Sequence, residues 1–186
     1  MSTLTQSKSG STKCIVGPDV LFSYAHVFQP HANLPGQDPK YSIQLRIPKT
    51  NTAAIAKIKA SIDAALEAAK VNWGGKVPAG VRMPLRDGDI ERPDDAGYAN
   101  YLFVNASSKQ KPGLVDGSMN VILDTAEFYS GCFGNASVNF YPYNVNGSKG
   151  IGCGLNNLQK IKDGEPLAGR ARPDSDFTAV DEAFLA

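Results

Sequence analysis

The chain has 186 residues, of which 42% are hydrophobic and 20% charged, a balance suited to one domain with a proper core. No run approaches the roughly 20 consecutive apolar residues that cross a bilayer, and the Ser/Thr-rich start lacks the apolar core of a secretory signal. We therefore expect a cytosolic protein with no membrane partner. The net charge of +1 divides unevenly, because all 19 basic and 14 of the 18 acidic residues precede residue 173. A body of +5 is thus followed by an end of −4.

The first part of the body predicts strands followed by one helix. Val, Ile, Phe and Tyr cluster over 13–16 and 20–28, which predicts two strands separated by Gly17-Pro18. Apolar and polar residues alternate over 41–47, the pattern of a strand with one buried and one wet face. The wet face would then carry Gln44 and Arg46. Residues 50–70 form the predicted helix, with Asn51 or Thr52 as its cap and an isoleucine-rich stripe for packing on the sheet.

The second part predicts a long loop and further strands. Residues 73–97 are rich in Gly, Pro and charge, so we expect a functional loop that orders on a ligand. Strands are predicted over 98–107, 119–123, 136–145 and 149–158, and Asn146-Gly147 favours a type I′ hairpin turn. One helix among six or seven short strands predicts a mostly β fold, a small barrel with the helix packed on it.

Several chemistries lack support in the sequence. The cysteines at 14, 132 and 153 are far apart, without C-x-x-C spacing, and we interpret them as reduced structural thiols. His26 and His31 are not at metal-ligand spacing, and a structural or exposed role is the better interpretation. The glycines of 150–154 lack the lysine of a phosphate loop and fit a glycine-bearing strand. We expect no cofactor and no metal.

The carboxylates of 87–95 are the one enzyme-like cluster. Alternating acids such as Asp87 and Asp89 can hold divalent cations for phosphodiester cleavage, so a metal-dependent nuclease is an alternative function. Arg86 and Arg92 flank this cluster, however, and glycine and proline interrupt it. A salt-bridged, solvated loop is the simpler interpretation, and we expect a protein that is not an enzyme.

Aromatic and basic residues occur together along the predicted strands. Proteins that hold single strands combine aromatic rings, on which bases stack, with cations that follow the phosphates. Because neighbouring strand residues point to opposite faces, we expect Phe140 inside and Tyr141 and Tyr143 outside. The candidate nucleic-acid-binding residues are Arg46, Trp73, Arg82, Arg86, Arg92, Tyr101, Lys109, Lys111, Tyr141, Tyr143 and Lys149.

Four segments carry a family resemblance. They are Arg82-Met-Pro-Leu-Arg-Asp-Gly-Asp-Ile-Glu-Arg-Pro93, Phe128-Tyr-Ser-Gly-Cys132, Ala136-Ser-Val-Asn-Phe-Tyr-Pro142 and Gly154-Leu-Asn-Asn157. Over about 13–169 the chain resembles a phage and prophage family, encoded in replication modules and regarded as single-stranded-DNA-binding proteins. The resemblance implies an OB-like barrel, sequence-independent binding and protection of single-stranded DNA in phage replication or recombination, and the cytoplasm of a bacterial host.

The resemblance also divides the chain into three parts. Residues 1–12 would be a flexible leader, 13–169 the OB-like domain and 170–186 an acidic, flexible tail. Such a tail can cover a basic groove or bind phage replication or recombination proteins, and a homodimer remains open. A third hypothesis is a protein-interaction subunit that binds no nucleic acid. The tail residues expected to meet a partner are Asp174, Asp176, Phe177, Asp181, Glu182 and Phe184.

Overall fold

The computed structural model describes residues 11–167 and places seven strands and one long helix there. The elements are Lys13–His31 (β1), Lys40–Pro48 (β2), Thr52–Ala69 (α1), Arg86–Asp87 (β3), Gly88–Glu91 (α2), a 3-10 turn at Ala96–Tyr98, Tyr101–Ser108 (β4), Gly113–Val115 (β5), Phe133–Val145 (β6) and Ser148–Lys162 (β7). Residues 1–10 of the predicted leader and the whole predicted tail, including all six tail residues named above, lie outside the described range. Their interpretation stays a prediction.

Five of the strands close into a barrel. β1 pairs antiparallel with β2 and β6, β2 pairs with β4, and β6 pairs with β7. A parallel contact between Ser107 of β4 and Gly154 of β7 completes the ring. The predicted mostly β, OB-like barrel with one main helix is confirmed.

The barrel interior is apolar, and α1 packs against it. Phe22, Leu45 and Val104 come from neighbouring strands and are almost fully buried. The helix buries Ala54, Ile58, Ile62 and Ala65, a stripe at helical spacing that faces the strands. The Asn51 side chain accepts a hydrogen bond from the Ala54 amide at 3.3 Å and caps the helix, as predicted. None of the helices described in 11–167 has the length and hydropathy to cross a membrane.

Three strand predictions needed correction. The two strands expected on either side of Gly17-Pro18 are one strand, β1, which absorbs the break as a register shift between Val16 and Val20. The strand expected over 98–107 begins only at Tyr101, because residues 96–98 form a 3-10 turn capped by Asp95. The strand expected over 119–123 does not form. Asp116 accepts the Ser118 and Asn120 amides in a tight turn, and Val121 forms an isolated bridge to Val115 of β5.

Two other local predictions have clear outcomes. Asn146 and Gly147 both adopt positive φ, 51° and 82°, as a type I′ turn requires, and they join β6 to β7. The segment 73–97, expected to be a long loop, contains β3, α2 and the start of the 3-10 turn, whereas its expected ordering by a ligand stays a prediction. Its ion pairs and its pairing with β4 and β7 account for this order.

Candidate nucleic-acid interface

A groove crosses the outside of the barrel over β1, β2 and β4 and continues onto β6 and β7. It consists of three adjoining hollows, which we call the tyrosine, histidine and arginine hollows. Asn105 and Ser107 line both the tyrosine hollow, of about 580 Å³, and the histidine hollow, of about 350 Å³. Tyr24 and His26 line both the histidine hollow and the arginine hollow, of about 340 Å³. The shared residues make the groove continuous.

Two tyrosines lie on a floor of glycines in the tyrosine hollow. Tyr141 and Tyr143 of β6 are the direct cross-strand partners of Gly152 and Gly150 in β7. A Cβ atom added at Gly152 would lie 2.6 Å from Cζ of Tyr141, and one at Gly150 would lie 2.5 Å from the Tyr143 hydroxyl oxygen. Each ring therefore lies across β7 where any other residue would push it away.

The orientation expected for this part of β6 is confirmed. Tyr141 is 45% exposed, whereas the neighbouring Phe140 is only 2% exposed and belongs to the core. Burial raises the pKa of Tyr141, so its ring is neutral at physiological pH. A neutral, flat and partly exposed ring is the kind of surface on which a base stacks. The glycine-bearing strand predicted for 150–154 is confirmed as part of β7.

Arginines form the rim of the tyrosine hollow. The Arg82 amide donates to the carbonyl of Lys149 at 3.0 Å, and the Ile151 amide donates to the carbonyl of Arg82 at 3.0 Å. This pairing holds Arg82 beside β7. Arg86 lies in β3 opposite Phe103 of β4, with its guanidinium carbon 5.3 Å from the Phe103 ring centre. Both arginines thus flank the Tyr141 and Tyr143 rings.

Arg46 differs from the prediction, because it is buried. Only 5% of Arg46 is exposed, and only 5% of Gln44, so the expected wet face of β2 is wrong. The reason is that the segment containing Gly97 and Tyr98 covers this face of the strand. The Arg46 guanidinium carbon lies 3.9 Å from the Tyr98 ring centre, and Nη1 donates to the carbonyl of Gly97 at 3.1 Å.

All the recorded partners of the Arg46 guanidinium are neutral. Nε donates to Oε1 of Gln44 at 3.0 Å and Nη2 donates to the Ser23 hydroxyl at 3.1 Å, in addition to the Gly97 contact. Within residues 11–167 no carboxylate forms an ion pair with Arg46. Arg46 lines the arginine hollow at one end of the groove together with Asp95, whose carboxylate offsets part of its positive charge without forming an ion pair with it.

The remaining candidate residues are spread around the barrel. Lys149 follows the β6–β7 turn beside Arg82, and Arg92 lies 5.8 Å from the Tyr98 ring centre. Tyr101 starts β4, where it pairs with Pro48. Lys109 and Lys111 lie on the loop after β4, and Trp73 lies after α1, packed against the core. None of these six residues lines the three hollows.

The carboxylates of the acidic loop are held by a lysine. Nζ of Lys49 lies 2.9 Å from Oδ1 of Asp87 and 2.6 Å from Oδ2 of Asp89. These contacts hold the pKa of both carboxyls below the usual range. Asp89 also accepts a hydrogen bond from the Asn100 amide at 3.1 Å. An ammonium group therefore occupies the space between the two acids, which agrees with the salt-bridged loop.

Several groove residues were not predicted. Tyr24 is 59% exposed at a register shift between Ser23 and His26, where its φ of 46° lies in the left-handed region. Such bulges redirect side chains, and no sequence signal marks this one. A hydrogen bond with Tyr98 raises the pKa of Tyr24. His26 and Asn105 also line the groove, although the period-2 pattern of β4 could have placed Asn105 there.

The fold and the groove together define a class of protein. A five-stranded barrel that carries stacking aromatics and cations on its outer face is the architecture of OB-fold proteins that bind single-stranded nucleic acids. The family model of the ssDNA-binding protein of Enterobacter phage Enc34 matches residues 12–185. The chain belongs to this family of phage ssDNA-binding proteins, and it is not an enzyme.

Individual relatives agree with this assignment. Protein p50 of Acyrthosiphon pisum secondary endosymbiont phage 1 is 33% identical over 162 residues, which cover 81% of this chain and 84% of that relative. The structure of the single-stranded DNA-binding protein from bacteriophage Enc34 in complex with ssDNA is similar with a TM-score of 0.74 and 27% identity, covering 87% of this chain and 91% of that one.

A more distant structure supports the fold alone. The single-stranded DNA-binding protein gp2.5 of bacteriophage T7 is similar with a TM-score of 0.56 and 14% identity, over 90% of this chain and 94% of that one. The two proteins therefore share the fold, but their sequences are too different for individual groove residues to be compared.

Proposed function

We propose that the chain binds single-stranded DNA in the groove without reading its sequence and protects the strand during phage DNA replication or recombination. The observation that carries this proposal is the position of Tyr141 and Tyr143, flat on a glycine floor and flanked by Arg82 and Arg86. Family membership and the ssDNA complex of the Enc34 protein support the same function.

Stacking and charge supply the binding free energy. Every base has a flat face, so stacking on a tyrosine contributes about 1–3 kcal/mol per base whatever the sequence. The guanidinium groups of Arg82 and Arg86 neutralise phosphates and release counterions, which makes the affinity fall with salt. Arg46, which shares the arginine hollow with Asp95, would add a positive charge at the other end of the groove.

Duplex DNA is a poor fit to this mode of binding. In a duplex the bases are paired and stacked on each other, and their faces are not available to Tyr141 or Tyr143 without unstacking. A single strand presents the faces at a smaller cost. Binding would therefore keep the strand extended and suppress hairpins, with no covalent chemistry.

The other residues predicted to bind DNA are supported to different degrees. Lys149, whose carbonyl accepts from the Arg82 amide, and Arg92, whose charge acts on Tyr24, would bind phosphates near the ends of the groove. Tyr101, Lys109, Lys111 and Trp73 stay predictions. The acidic residues 170–186 would compete with DNA for the basic groove or recruit phage replication or recombination proteins, in the cytoplasm of a bacterial host.

Fluorescence anisotropy with labelled single-stranded and duplex oligonucleotides tests this function. We expect tight binding to the single strand that weakens steeply with salt, and a higher affinity for a chain ending at Arg172. A second arm replaces DNA by RNA of the same sequence. Equal affinity for single strand and duplex, or no binding to either, would overturn the proposal and favour a protein-interaction subunit.

A further inference from the structure

Two histidines form a parallel stack at the histidine hollow, which adjoins the tyrosine hollow. The ring centres of His26 and His31 are 4.1 Å apart, and the ring planes differ by only 8°. Both residues belong to β1, where they are five positions apart. His26 pairs with Ser42 and His31 with Lys40, so β1 carries three more residues than β2 over this interval. The irregularity brings the two imidazoles together.

The stack lies along the groove. His26 lines the histidine hollow with Tyr24, Gln44 and Asn105. His31 lines a further hollow of about 360 Å³ that shares Ser42, Ser107 and Asn33 with the histidine hollow. The tyrosine hollow begins at the same Ser107. A strand that leaves Tyr141 across β4 therefore reaches the imidazoles without leaving the groove.

The side chains between the two aromatic sites are small or neutral. Ser42, Ser107 and Asn105 line this stretch and can exchange hydrogen bonds with sugars or base edges. Four charged residues line the hollows around the histidines: Lys40 and Asp38 share the hollow of His31, and Arg46 and Asp95 share the arginine hollow with His26. Two of these four are cations, suited to phosphates on either side of the stack.

The arrangement of the rings favours stacking over metal binding. The ring nitrogens of parallel imidazoles point along parallel planes and do not converge on one ion. Histidine is one of the side chains on which nucleic-acid bases stack. Burial and the nearby His31 lower the pKa of His26, so this imidazole is mostly neutral near pH 7. His31 is the more exposed of the two and presents an accessible ring.

We propose that the His26–His31 stack is a second base-binding platform, which holds a different nucleotide of the same strand from the one on Tyr141. This inference rests on the proposed function and assigns it a second site. The two platforms would fix the path of the strand across β1, β2 and β4, with Ser42, Asn105 and Ser107 beneath the intervening nucleotides.

Variants of His31 test the platform, because this side chain is exposed at the end of β1. His31→Ala should weaken binding of a thymidine oligonucleotide of about 12 nucleotides by about 5- to 150-fold, the loss expected for one stacked base. His31→Phe keeps a flat ring and should bind within about twofold of the unaltered chain. Thermal unfolding of each variant shows whether the fold is retained. The double variant with Tyr141→Ala should show the two losses added, since different nucleotides are involved.

A second measurement uses the unaltered chain. The sequence has only two histidines, so a spectrum of histidine-labelled protein contains two imidazole signals that can be followed directly. Adding the thymidine oligonucleotide should shift both by the ring current of a stacked base. Unmoved imidazole signals in the presence of bound DNA, together with normal binding by His31→Ala, would overturn the platform and leave the proposed function intact. No DNA binding by the unaltered chain would overturn both.

Discussion

The Glu91 carboxylate forms an ion pair with the Arg86 guanidinium inside the tyrosine hollow. Both groups line this hollow together with Tyr141, so a carboxylate lies where a phosphate of the bound strand would be attracted. In the proposed binding mode Glu91 would oppose DNA binding in two ways: it occupies Arg86, and it would repel the phosphate. The partly exposed pair is weak enough for a phosphate to compete with it.

Glu91→Gln should consequently bind single-stranded DNA more tightly. We expect a gain of about two- to fivefold at low salt, the size of an exposed charge pair, and a salt dependence steeper by about one ion. Measuring the affinity at several salt concentrations tests both the gain in affinity and the steeper salt dependence. Glu67→Gln on α1 is the matched control, because it removes the same charge from an ion pair outside the groove. Equal gains in the two variants would contradict the special position of Glu91.

Tyr141→Ala should weaken single-strand binding by about 1–3 kcal/mol, because one stacking platform is removed. Tyr141→Phe keeps the ring and should bind nearly as the unaltered chain does. Anisotropy titrations of the two variants at the same salt concentration give the comparison. Retention of full affinity in Tyr141→Ala, with an unchanged unfolding temperature, would show that this ring does not hold a base.

Gly152→Ala should weaken binding although Tyr141 itself is not substituted. The new Cβ would lie 2.6 Å from Cζ of the Tyr141 ring, so the ring must tilt away from β7. Gly154→Ala is the control on the same strand, since its nearest contact would be an ordinary 3.6 Å. We expect reduced affinity only in the first variant, measured beside an unfolding curve. Equal affinities in both would mean that the flat position of Tyr141 is unimportant.

Arg46→Met should lower both stability and affinity. The substitution leaves the Gly97 carbonyl, the Gln44 side chain and the Ser23 hydroxyl without their donor, at a cost of about 1–3 kcal/mol in the free energy of unfolding. Arg46→Lys should rescue little, because an ammonium cannot reproduce the planar fork of donors. Urea unfolding measures the first effect. If Arg46→Met bound DNA with an unchanged salt dependence, its charge would not contribute to the groove.

The Lys49 contacts predict how stability changes with acid. Lys49 holds the pKa of Asp87 and Asp89 below the ordinary value of 3.8, so the charged carboxylates stabilise the fold above that pH. The contribution is lost as the pH falls through the lower folded-state pKa values. The free energy of unfolding, measured with urea, should therefore fall more in acid for the unaltered chain than for Lys49→Met. Parallel curves for the two proteins would contradict this role of Lys49.

The barrel could be predicted from the sequence because the patterns that indicate its elements are local. The alternation over 41–47, the Asn-Gly turn at 146–147 and the capped isoleucine stripe of α1 each determine an element without reference to distant parts of the chain. The failures are equally specific. Residues 119–123 have strand-like composition, but hydrogen bonds to Asp116 fold the preceding residues into a turn. Tertiary contacts determine that β5, and not residues 119–123, pairs with β7.

The groove could be predicted only in part, because some of its residues depend on contacts between distant parts of the chain. Tyr141 and Tyr143 were found because strand alternation alone turns them outward. Arg46 was placed in solvent because the same alternation cannot show that residues 97–98 cover its face of β2. The histidine stack and Tyr24 depend on irregularities in β1, which shift the register without a sequence mark. Trp73 was selected by residue type; it packs against the core after α1, and its role stays a prediction.

Photochemical cross-linking of a single strand tests the central claim, the position of DNA in the groove. A thymidine oligonucleotide carrying 5-iodouracil is irradiated in the complex, and the attached peptides are identified by mass spectrometry. We predict cross-links to Tyr141, Tyr143, Tyr24 or His26, the rings that line the groove. Cross-links confined to Phe133, which lies outside the three hollows, would place the DNA on another face of the barrel and contradict the account.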